Sequence, residues 1–183
     1  MTGLVVFDTA IGHCGLAWGE AGLRSVLLPE ADGSASGVRA HLLRRCPDAS
    51  DAVPPPDWVL KAIDGIRALL AGEPRDLCEL PLDERGVPDF HRRVYALARQ
   101  IPPGQTRTYG ELAEALGGKG RARAVGQALG HNPFAPVVPC HRILGADGRP
   151  GGFSAPGGAL LKLRMLAIEG ARPSGSEPLF DER

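Results

Sequence analysis

The chain of 183 residues has no apolar run as long as the roughly 18 residues a membrane helix needs, so no membrane span is expected. Its start, Met1-Thr2-Gly3-Leu4, lacks a charged segment followed by an apolar one and is not expected to act as a secretory signal. Cysteine is scarce. The four residues Cys14, Cys46, Cys78 and Cys140 form no Cys-x-x-Cys pair. A disulfide framework is therefore not expected, and a soluble, reducing, cytoplasmic setting is. No internal repeat or low-complexity tract occurs. Net charge is also lacking, with 21 Lys and Arg against 21 Asp and Glu. What is present is a 43% hydrophobic fraction, enough to bury a core in one compact unit or two small lobes.

The zero net charge hides a dipole. Residues 1–90 carry a net −6, residues 91–172 a net +8, and the last 11 residues a net −2. A basic half on a neutral chain suggests a face for a polyanion.

Short β-type runs at Leu4–Thr9, His13–Trp18 and Leu23–Leu28, separated by glycine-containing turns, predict an antiparallel meander. Gly37–Cys46 is expected to be helical. Pro54-Pro55-Pro56 reads as a stiff spacer, and Asp57 as the cap of a helix bearing Val59, Ile63, Ile66 and Leu70 on one face. Cys78–Leu82 is a candidate further strand. Phe90–Gln100 follows as an amphipathic helix. Thr108-Tyr109-Gly110-Glu111 has the form of a capping box, opening a helix over Tyr109–Leu116. Gly117-Gly118 ends it, and Arg121–Leu129 reads as the second helix of a helix-turn-helix. Gly158–Glu169 is the last expected helix, and 171–183 an expected disordered tail.

Within Arg121–Leu129, Val125 and Leu129 fall on a core-facing side, while Arg123, Gly126, Gln127 and Gly130 cluster on another. A face of small residues suits either tight helix packing or entry into a groove about 6 Å wide, which a side-chain-clad helix about 10–12 Å across cannot fit. A cysteine among apolar residues is ordinarily a small inert hydrophobe. Cys140 sits instead in Pro139-Cys140-His141-Arg142, fixed by a proline and followed by two potential donors, a setting suited to thiolate chemistry.

Together with Asn132-Pro133, Gly152-Phe153-Ser154 and Glu169-Gly170, these motifs resemble the O6-alkylguanine–DNA alkyltransferase family over about residues 90–170. The resemblance implies an α+β fold, with an N-terminal antiparallel-sheet (ribonuclease-H-like) lobe at 1–86. A mostly helical lobe at 87–170 would follow, then the flexible tail 171–183. It implies an enzyme that moves an alkyl group from guanine O6, with O4-alkylthymine a further candidate, irreversibly onto Cys140, once per chain and without a cofactor. Adjacent side chains in an extended segment point apart, so His141 would act on Cys140 through a bridging water, oriented by Glu169. Tyr109 would donate to the leaving base, and Asn132 would tie the helix pair to the acceptor segment. Arg123 would fill the gap of a flipped nucleotide, with Thr108, Ala122, Ala124, Gly126 and Gln127 on the DNA side. Ile143, Phe153, Ser154 and Leu129 would line the substrate pocket, and Arg107 and Arg142 would support phosphate or structural contacts.

The implied partner is double-stranded DNA, met through the minor groove by a monomer. The segment 153–158 is about two residues longer than in many relatives, which leaves substrate range open. Some relatives hold a structural zinc in the N-terminal lobe; Gly19 and Arg24 stand where two ligands would be, so no metal is expected. Leu179-Phe180 in the acidic tail has a weak likeness to sliding-clamp-binding peptides. The alternative is a non-repairing lesion binder or DNA-binding regulator on the same scaffold, a class that lacks the reactive cysteine. A Cys/His hydrolase is a third class, disfavoured by the adjacency of Cys140 and His141.

Overall fold

A computed structural model describes residues 1–171; the Leu179-Phe180 pair and the rest of the tail lie outside the described residues. Strands β1 (Thr2–Thr9), β2 (Gly12–Gly19) and β3 (Gly22–Leu27) form the expected meander, turned by Gly12 and Gly22 at φ +126° and +137°. The sheet is not purely antiparallel. β4 (Ala49–Ser50) pairs with β1 in parallel, giving the order β3-β2-β1-β4.

Strand alternation sends side chains to two sides. On one, Leu4, Ala17 and Leu27 pack with Val38 and Leu42 of α1 (Ala35–Arg45), whose start is capped by the Ser34 hydroxyl accepting from Gly37 N–H. On the other, Leu16 and Trp18 join Val59, Ile63, Ile66 and Leu70 of α2 (Asp57–Leu70). Asp57 is not the cap of α2. Extended Pro56 occupies that position without a side-chain bond, and Asp57 enters the first turn, where its charge complements the helix dipole.

Cys78–Leu82 is not a strand. The carbonyls of Leu77, Cys78 and Leu80 all turn toward the Arg99 guanidinium, so they are spent on one side chain rather than on a neighbouring strand. Only the residues around Pro81 touch the sheet, where Leu23 N–H donates to Pro81 O and Asp83 N–H to Leu23 O, both at 2.8 Å. Further along the same edge, Val26 N–H donates to Pro133 O at 2.8 Å. Two distant pieces of chain thus cover the β3 edge, and the second leads into the site.

The remaining elements are α3 (Asp89–Ala98), β5 (Arg107–Thr108), α4 (Tyr109–Ala115), a 3₁₀ turn at Lys119–Arg121, α5 (Ala122–Gly130), a 3₁₀ turn at Cys140–Arg142, β6 (Ile143–Leu144) and α6 (Gly158–Ile168). The architecture is α+β. α4 and α5 are the expected helix pair, buried through Leu112, Ala113, Val125 and Leu129. One cluster of buried apolar side chains runs from Phe7 through Val94 and Val125 to Met165, so both halves of the sequence share a core.

Gly22 is required where it stands: a Cβ there would lie 2.5 Å from Pro81 O, at a φ that L-residues avoid. Gly22→Ala is expected to lower unfolding free energy by about 1–3 kcal/mol in urea titration, through strain and displacement of the connector.

Candidate active site and nucleic-acid face

Cys140 lies in a turn buried to 6% exposure, behind Pro139. Three connections hold that turn. Asn132, just past the end of α5, donates from Nδ2 to Val138 O and accepts from Phe134 N–H at Oδ1, both at 2.9 Å. Parallel pairing of β5 with β6 (Arg107↔Ile143, Thr108↔Leu144) sets the start of α4 beside the residues that follow the turn. Glu169, at the end of α6, supplies the third.

Glu169 is the hub. His141 Nε2 lies 2.7 Å from Oε1, while Arg142 donates from Nη2 to Oε1 at 2.8 Å and from Nε to Oε2 at 2.9 Å. Arg142 also donates from Nη1 to Ile101 O at 2.7 Å, and Gly104 N–H reaches Oε2 at 3.4 Å. Burial alone would raise the Glu169 carboxyl, but the hydrogen bonds from His141 and Arg142 outweigh it and hold it at about 2. His141 is fully buried, and desolvation lowers it despite the raising effect of Glu169. It is therefore a neutral imidazole; Arg142 carries the balancing charge. A carboxylate only accepts, so the ring proton sits on Nε2 and Nδ1 is a bare acceptor. That Nδ1 is buried and has no hydrogen-bond partner among the described residues.

Desolvation raises the Cys140 thiol, against the lowering effects of Asn132 and then of Lys162. At rest it is a thiol, not a thiolate. Sequence reasoning missed Lys162. This residue of α6 is fully buried and donates from Nζ to Ile143 O at 2.5 Å and to Tyr109 Oη at 3.4 Å. It also lies over the rings of Tyr109 (5.6 Å) and Phe153 (5.8 Å). No described carboxylate pairs with it within 4.0 Å. Burial lowers it to about 8, against a raising effect from Cys140. Its only sequence signal was a lysine on the otherwise apolar stretch Ala159–Met165, interrupted elsewhere by Arg164.

A cavity of about 50 Å³ opens beside Cys140, walled by Asn132, Ala135, Phe153, Ser154 and Pro156 and, from the sheet side, by Leu28, His41 and Arg45. Ile143 and Leu129 do not line it; both are buried in the core. A larger polar cleft shares Arg45 with this cavity and contains the pairs Arg24–Asp48 and Arg85–Asp83.

The capping box of α4 is complete: Thr108 Oγ1 accepts from Glu111 N–H at 3.1 Å, and Glu111 Oε2 accepts from Thr108 N–H at 2.6 Å. Along α5, Arg123, Gln127 and Gly130 are exposed, while Ala122, Ala124 and Gly126 are half-buried. Arg107 is exposed; Arg142 is buried and serves Glu169. Packing explains Ala128 in the core and Ala122 against it, but not the glycines of α5. A Cβ on Gly126 would meet only the Tyr109 ring at 3.9 Å, and one on Gly130 nothing within 4 Å. Glycine inside a helix costs about 1 kcal/mol relative to alanine.

Residues 89–171 match the family described as "6-O-methylguanine DNA methyltransferase, DNA binding domain". A methylated-DNA–protein-cysteine methyltransferase of Mycobacterium tuberculosis is 42% identical over 135 residues, 74% of this chain and 79% of that protein. A "DNA base-flipping protein" of Thermus thermophilus is 42% identical over 130 residues, 71% of this chain and 82% of its own. The crystal structure of M. tuberculosis OGT in complex with DNA superposes with a TM-score of 0.71 at 36% identity, covering 91% of this chain and 92% of that one.

A depressed folded carboxyl contributes stability above its unfolded value, near 4.3, and loses it as pH falls toward the folded value of about 2. Urea titrations across that acid window should show the native chain losing stability steeply and Glu169→Gln, less stable near neutrality, losing much less.

Proposed function

The chain belongs to the methylated-DNA–protein-cysteine methyltransferase family, and from that membership we propose how its residues perform the family's reaction. It repairs DNA by direct reversal, moving the alkyl group from O6-alkylguanine to a cysteine of its own. The acceptor in this reading is Cys140, and the observation that carries it is the neutral His141 with a bare, buried Nδ1 held by Glu169 beside that thiol.

The Cys140 proton passes through one water to His141 Nδ1, and the imidazolium formed is stabilised by the Glu169 carboxylate. The thiolate attacks the alkyl carbon in line, forming the S–C bond as the C–O6 bond breaks. The departing guanine takes a proton at N3 from Tyr109, whose hydroxyl oxygen already accepts from Lys162. Lys162, lowered to about 8, can return a proton to the Tyr109 oxygen. The S–C bond of a thioether is stable to water, so the alkyl group stays on Cys140 and the chain reacts once. Phe153 and Ser154 wall the space for the alkyl group.

The reading extends to the DNA. The bare face of α5 enters the minor groove, Arg123 takes the place of the flipped nucleotide, and Thr108, Ala122, Ala124, Gly126 and Gln127 line the contact. The division into an acceptor and DNA-reading unit at 87–170 and a sheet unit at 1–86, action as a monomer, and a cytoplasmic setting belong to the same proposal.

Intact-mass analysis after incubation with an O6-methylguanine duplex should show one methyl group per chain, on the peptide holding Cys140; an unmodified Cys140 would sink the proposal. Lys162→Met, close in volume, should move the midpoint of Cys140 alkylation by iodoacetamide to higher pH. Reactivity near neutrality would fall about tenfold per unit of that move, and thermal stability would be largely kept.

A further inference from the structure

The exposed stripe of α5 does not end with the helix. Arg123, Gln127 and His131 follow at successive intervals of four, and Gly130 lies beside them, so all share one face. His131 is exposed at the C-cap of α5, and its Nδ1 lies 2.8 Å from Gln127 O. A carbonyl oxygen only accepts, so Nδ1 carries the ring proton. Nε2, on the far side of the ring, is then an acceptor in the neutral form and becomes a donor only when the ring is protonated. Against His131 stands His91 of α3, half-buried, with ring centroids 5.8 Å apart.

Neither imidazole of this pair has a described carboxylate within 4.0 Å, which leaves the pair without an anion. Around the pair, Asp89 is taken by Arg92, Arg93 is exposed, and Tyr95, 6.2 Å from His91, donates its hydroxyl proton to Ala128 O. Glu84 acts on Tyr95, and Arg121 lies over the Phe90 ring. Burial, and then His131, lowers His91. The missing anion is what a nucleic-acid backbone provides.

We propose that His131, backed by His91, binds a backbone phosphate at the C-terminal end of α5, so that duplex binding takes up a proton. This rests on the reading that the α5 face meets DNA. A phosphate oxygen cannot donate to a bare Nε2, and only the imidazolium supplies both the hydrogen bond and the charge. Protonation on binding makes affinity rise as pH falls.

Binding of a short lesion-free duplex would be followed by fluorescence anisotropy at constant ionic strength from about pH 8 to about pH 6. The native chain should tighten about three- to tenfold on acidification, and its salt dependence should steepen by about one phosphate. His131→Gln, which keeps a neutral donor, should bind with little dependence on pH. His91→Gln should keep the dependence; its loss would place the proton on the neighbouring ring and overturn the proposal. An unchanged pH profile in His131→Gln, or none in the native chain, overturns the proposal. Arg123→Ala separates the two ideas. If it weakens binding at both ends of the range, the α5 face meets DNA and only the histidine site is in question. If it changes neither affinity nor salt dependence, that reading fails and the histidine site fails with it.

Discussion

One buried carboxylate organises this molecule. Glu169 receives His141, Arg142 and the Gly104 amide, and so joins the end of α6, the acceptor turn and the chain leaving α3. Burying that charge is costly unless it is fully paired and hydrogen-bonded. Arg142 supplies the charge, which frees His141 from having to be the cation. The histidine can then remain a neutral base at the pH where the thiol must be opened. An ordinary ion pair between His141 and Glu169 would have left the ring already protonated and unable to accept.

The same logic of incomplete pairing recurs at Lys162. Its Nζ has a carbonyl, a phenol and two aromatic faces, but no carboxylate. Such a cation is destabilised at rest and gains when a negative charge forms nearby. In the proposed reaction that charge forms first on Cys140 and then on the leaving base. The site is thus arranged to favour charges that exist only during the transfer, the general form of electrostatic catalysis.

Much of this was legible in sequence because it is local. The capping box depends on Thr108 and Glu111, three residues apart, and the Pro139–Arg142 motif is contiguous. The helical faces of α2 and α5 follow from periodicity alone. What escaped is non-local. Lys162 acquires its meaning from Ile143 and Tyr109, and Arg142 from Glu169, pairs that no periodicity connects. Parallel pairing of β5 and β6, two residues each, is too short to leave a pattern. Residues 78–82 have strand-like composition, yet one arginine on α3 consumes the carbonyls around them. At Asp57 the residue type was suited to capping, but the preceding proline already held the extended conformation a cap needs.

The short β5–β6 ladder has a consequence for how this scaffold can vary. It fixes Tyr109 relative to the acceptor turn through backbone bonds, without involving the 153–158 loop. Lengthening a surface loop adds closure entropy only logarithmically, so two extra residues cost a small fraction of a kcal/mol. The wall that would meet the alkyl group in the proposed reaction is therefore a replaceable part, free to change size and shape while the reacting atoms stay in register.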